Sequence, residues 1–107
     1  MRVSILGTEY TIQKLSRKED SYLEKCDGYC DKTSKRIVVK TDNDDLDDIE
    51  VHINKVMRHE IIHAFLYESG LHENFKHDTW GHDETMVDWV AVQFPKILEV
   101  FVEAGCM

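Results

Sequence analysis

Residues 53–66 read Ile53-Asn54-Lys55-Val56-Met57-Arg58-His59-Glu60-Ile61-Ile62-His63-Ala64-Phe65-Leu66. Ile49, Ile53, Val56 and Glu60 recur at helical intervals, and Phe65 and Leu66 are available to pack beyond them, so the stretch predicts a helix. His59 and His63 are separated by slightly more than one turn, which projects both imidazoles from one face about 6 Å apart at Cβ. Rings so placed can reach a single zinc ion. Glu60, near the same edge of the helix, can approach a water held by that ion without being a ligand. The H-E-x-x-H pattern arises in roughly 3% of shuffled sequences of this composition, so two surface histidines beside a salt-bridging glutamate is the weaker reading.

Upstream, Asp42, Asp44, Asp45, Asp47, Asp48 and Glu50 suit the positive end of a helix dipole, so the cluster reads as a solvated helix start. The D-x-D-x-D-G pattern of a calcium loop is absent. Before it, Val3, Ile5, Tyr10, Ile12 and Leu15 alternate around Gly7-Thr8 and predict a hairpin. Gly28–Asp31 and Lys35–Lys40 predict a second, turning at Lys32-Thr33-Ser34, with Ile37-Val38-Val39 in its second strand. Downstream, Ser69-Gly70-Leu71 stops the motif helix. Residues 71 to 82, polar and histidine-rich, read as a loop. A second helix is expected from about Asp83 to Gln93, with Val87, Val90, Ala91 and Phe94 on its apolar side. Pro95 either kinks it or starts a new helix. Ile97, Leu98, Phe101 and Val102 continue the spacing to Ala104, and Gly105 can end it. Strands first and helices after give an α+β chain forming one domain over residues 1–107.

A catalytic zinc takes three protein ligands and leaves a place for water. The H-E-x-x-H-x-x-G-x-x-H spacing fails, because Leu66 and Ser69 occupy its glycine and last histidine. His72, His77 and His82 qualify by residue type. Glu84 is preferred, since the first turn of a separate helix lets it approach from another side. Asp88, one turn later, could accept a hydrogen bond from a ligand imidazole. His82 is the main competing ligand.

Thirteen basic and twenty-one acidic residues give a formal charge of −8, which disfavours nucleic acid and anionic membrane surfaces as partners. A divalent cation or a basic peptide is easier to accommodate. The amino-terminal residues show no signal-peptide pattern and no run is long enough to span a bilayer, so cytoplasmic residence is the expectation. Three cysteines make no disulfide framework, and Cys26 and Cys30, four apart, are not a C-x-x-C pair. They read as free thiols, with a disulfide or second metal site as the alternative. Trp80 and Trp89 read as packing residues.

His59-Glu60-x-x-His63 followed by Glu84-x-x-x-Asp88 resembles the gluzincin clan of zinc metallopeptidases. The short chain, with strands before the motif helix and little after it, is similar to the minigluzincins and to phage metallopeptidases related to the ImmA/IrrE group. The resemblance covers roughly Gly28 to Phe94, and only the motif residues are specific to it. It implies a zincin-like fold holding one catalytic Zn2+ on His59, His63 and Glu84, with Glu60 as base and Asp88 supporting a histidine. The implied activity is an endopeptidase acting on a peptide or protein. The Gly28–Val39 hairpin is similar to the family's upper-rim strand, which makes Ile37, Val38 and Val39 the expected substrate edge. Larger gluzincins carry a carboxy-terminal subdomain that this sequence lacks, which leaves Tyr29, Tyr67 and His82 as candidates for the transition-state oxyanion. In minigluzincins the carboxy-terminal segment can block the cleft, and here that segment includes Cys106. The alternative function is a zinc-stabilised, catalytically idle or latent binding module of phage or mobile-element origin.

Overall fold

Leu6 and Gly7 both hold positive φ, 51° and 87°, the conformation of a two-residue type I′ turn. They join β1 (Arg2–Ile5) to β2 (Thr8–Leu15) in an antiparallel pair with Val3 opposite Tyr10. The computed structural model describes residues 1–74 and 84–107, giving the backbone alone at positions 73, 74, 84, 87, 88 and 91.

The second expected hairpin forms from β3 (Gly28–Asp31) and β4 (Arg36–Lys40). Its turn is fixed locally, because the Asp31 carboxylate accepts from the Thr33 N–H at 2.9 Å and the Thr33 hydroxyl at 2.6 Å. β4 also pairs in parallel with β2, giving a four-stranded mixed sheet in the order β1-β2-β4-β3. This corrects the expected substrate edge. Ile37, Val38 and Val39 lie on an internal strand and are fully buried, and the free edge on that side is β3.

α1 (Ile49–Glu68) begins later than the acidic cluster suggests. The Asp48 carboxylate accepts from the Val51 N–H at 3.3 Å as the N-cap. Asp42 and Asp44 instead hold the Arg17 guanidinium at 3.0 and 3.1 Å, so they anchor the entry loop. The helix stops at Ser69, where Gly70 takes φ 80° as expected. A one-turn helix, α2 (Leu71–Asn74), then stands where a loop was expected. Residues 75–83, including His77, Trp80 and His82, lie outside the described residues.

α3 (Glu84–Ala104) runs on through Pro95, and Gly105 ends it at φ 66°. Its buried stripe is Ile97, Val100, Phe101 and Ala104, which packs against β1 and α1. Val90 and Phe94, expected on the apolar side, are exposed, as is Val102, while the side chains of Val87 and Ala91 are not described. The burial is set by the sheet and α1 meeting the carboxy-terminal half of α3, a contact that the helix's own periodicity does not encode. Val3, Ile5, Tyr10, Ile12, Ile37 and Val39 from the sheet meet Ile53, Met57, Ile61, Ala64 and Phe65 of α1 in one core, completing an α+β fold. No helix among the described residues is long and apolar enough to cross a membrane.

Glu68, at the end of α1, clamps both hairpins. Its carboxylate accepts from the Thr8 hydroxyl at 3.2 Å, the buried Tyr10 hydroxyl at 2.8 Å and the Lys35 ammonium at 2.5 Å. The Lys35 bond above all holds this carboxyl below its ordinary value. A depressed folded-state value means the stabilisation is complete above about pH 4.3, the unfolded reference, and is lost as pH falls through the folded value. Urea denaturation should therefore separate Glu68→Gln from the unaltered chain strongly at pH 6 and less at pH 3. An equal gap at both pH values would show that the clamp does not depend on ionisation.

Candidate metal centre

α1 turns one face to the sheet through Met57, Ile61 and Ala64. That orientation leaves His59 exposed and His63 half-buried, while Glu60, at the boundary, is only 7% exposed. The two Nε2 atoms stand 3.1 Å apart. Ligand nitrogens about 2.0–2.1 Å from one zinc ion are separated by at most about 4.2 Å, so the pair fits a shared ion. A Glu60 carboxylate oxygen lies 4.0 Å from His59 Nε2.

Burial pushes the Glu60 carboxyl above its ordinary value, with His59 partly opposing the shift. A more basic carboxylate is a better proton acceptor near neutrality. Burial, followed by the neighbouring His59 and His72, pushes His63 below its ordinary value, which favours the neutral ring that a metal requires.

Glu60 owes its surroundings to Gly28. A Cβ at that position would fall 2.7 Å from Val56 Cγ1 and 2.8 Å from the Val38 carbonyl oxygen, and 3.6 Å from Glu60 Cγ. Only glycine lets the edge strand press this closely on α1. The Lys40 N–H donates to the Asp27 carbonyl at 2.8 Å, which marks Asp27 and Lys40 as a bonded pair. Antiparallel alternation then turns the N–H and C=O of Gly28 and Cys30 outward from β4, along the side of the sheet that borders Glu60. Gly28 was missed as a site residue in the sequence. A glycine opening a short strand was the available signal.

Beyond His63 the site continues as a run of rings. Tyr67 lies 6.3 Å from His63 at an interplanar angle of 23°, and His72 meets Tyr67 edge-on at 4.6 Å. Tyr67 therefore lies on the same side as the His59–His63 pair. Tyr29 does not: its hydroxyl donates to Asp20 and accepts from Arg36 at 2.9 Å, and its ring packs on Tyr22 on the sheet face away from α1. Glu84 and Asp88 occupy the first turns of α3, and their side chains lie outside the described residues. The Trp89 indole N–H donates to the Ser69 hydroxyl at 3.2 Å, which brings this part of α3 to the carboxy-terminal end of α1. Among the described residues no three His, Cys, Asp or Glu side chains converge as a metal-binding group, so the described part of the centre is the His59–His63 pair.

Cys26, Cys30 and Cys106 are free thiols. Cys30 is pushed up to about 12, chiefly by burial and then by Glu60. Cys106 belongs to the core, where its carbonyl accepts from Arg58 at 2.6 Å and its thiol donates to the Phe101 carbonyl at 3.6 Å. These contacts anchor the tail beside Arg58 and α3. No family model, curated protein or solved structure matches this chain.

Proposed function

We propose that the protein is a zinc-dependent metallopeptidase of zincin-like fold. The observation that carries this reading is the 3.1 Å approach of the His59 and His63 Nε2 atoms beside the buried, proton-accepting Glu60. His59, His63 and Glu84 would hold the metal, with Asp88 behind a ligand imidazole and His82 as the competing third ligand. When bound, the ion supplies Lewis acidity that polarises the scissile carbonyl and acidifies water. Glu60 removes the proton from the attacking water and returns it to the leaving amine. The outward N–H and C=O groups of Gly28 and Cys30 are suited to holding an extended peptide beside Glu60.

Metal analysis with a generic peptide-cleavage assay tests the reading. One zinc per chain together with cleavage is expected, and zinc without cleavage would favour the idle binding module. Glu84→Ala should lower zinc affinity by at least about tenfold, as loss of one of three protein ligands requires. Unchanged affinity would transfer the third place to a histidine.

A further inference from the structure

Adjoining the candidate metal centre, a cleft of about 300 Å3 opens between Asp27 and Gly28 on one side and His52, Lys55 and Val56 on the other, reaching His59 and Glu60. Its one acid outside the catalytic position is answered from within the protein. Asp27 Oδ2 lies 2.9 Å from His52 Nε2, and Oδ1 meets the Lys40 ammonium at 3.1 Å and the Asn43 amide at 3.5 Å. Lys40 is itself buried, so this pairing is part of the fold. Lys55 differs. It is exposed on the cleft wall and has no ion-pair partner among the described residues.

The chain's formal charge of −8 suggests basic peptides as substrates. The cleft differs locally: Asp27 is already compensated and Glu60 is committed to the attacking water, which leaves Lys55 as the charge available to a substrate side chain. We infer that this cleft is a substrate subsite selecting an acidic side chain close to the scissile bond, with Lys55 as its counter-charge. Val56 supplies an apolar surface for the methylenes of such a side chain. Lys55 precedes Glu60 by five residues, about 7.5 Å of helix rise. An extended peptide advances about 3.3 Å per residue, which places the acidic residue within about two positions of the cleaved bond. This inference rests on the peptidase reading for its register.

The test uses zinc-loaded full-length protein and quenched fluorescent peptides that differ only in Glu or Lys at each of two positions flanking the cleaved bond. At one position Glu should be preferred over Lys by about fivefold in kcat/KM, the scale of an exposed ion pair. Lys55→Glu should invert that ratio and Lys55→Gln should flatten it, with zinc content unchanged in both. A Glu-to-Lys ratio that stays the same in Lys55→Glu, or a preference for Lys in the unaltered protein, would overturn the subsite. If no peptide is cut, the peptidase reading fails separately. Fluorescence anisotropy of the same peptides on the zinc-loaded protein then decides: Lys55-dependent preference for Glu sustains the subsite, and equal binding of the Glu and Lys peptides refutes it.

Discussion

Glu60→Gln is expected to keep one zinc per chain while losing about 10²–10⁴-fold or more in kcat/KM. The substitution preserves the volume of a side chain that is 7% exposed, so neighbours such as Gly28 and Val56 need not move. An amide cannot accept the proton that a carboxylate takes from water. The change also removes a charge held against burial without a described cationic partner other than neighbouring His59. Thermal stability should therefore match or exceed that of the parent, because a buried charge is replaced by a neutral group. Parallel measurement of zinc content, Tm and cleavage separates the chemical role from a structural one. Undiminished cleavage would remove Glu60 from the mechanism, whereas lost zinc would show that its role is structural or ligating.

Phe65→Ala is expected to destabilise the fold by about 3–5 kcal/mol, the usual consequence of removing a buried phenyl ring. Phe65 is fully buried in the core shared by the sheet, α1 and α3. A chain of 107 residues has about 5–15 kcal/mol of total stability, so the variant should lie near its unfolding threshold. Zinc offers an independent check. A ligand bound only by the folded state adds about 4 kcal/mol at one thousand times its Kd, so excess zinc should largely restore cooperative unfolding in urea. A loss below about 1 kcal/mol would contradict the packing, and a full loss that zinc leaves unaltered would contradict the metal centre.

Local signals explain what the sequence reveals. The histidine spacing, the Gly70 stop and both hairpin turns depend on residues within a few positions of one another, and each is found where expected. The parallel pairing of β2 with β4 joins residues about 25 apart, such as Ile12 and Ile37, and no short-range pattern announces it. That one pairing places Ile37–Val39 on an internal strand and leaves Gly28–Asp31 as the free edge on that side. The acidic stretch misled for a related reason, since Asp42 and Asp44 answer Arg17 far back in the chain. Likewise the buried side of α3 reflects which partner it meets, and Phe94 is exposed despite its apolar character.

Lys35 occupies φ 55°, a left-handed conformation that costs a residue with a Cβ about 1–2 kcal/mol and that glycine adopts freely. Its ammonium also closes on Glu68 at the far end of α1. Glycine there would relax the backbone and sever that tether, so the strained lysine couples two elements that share no local sequence. The β3–β4 turn and the last turn of the histidine-bearing helix are thereby tethered to each other, and fraying of either forfeits that ion pair.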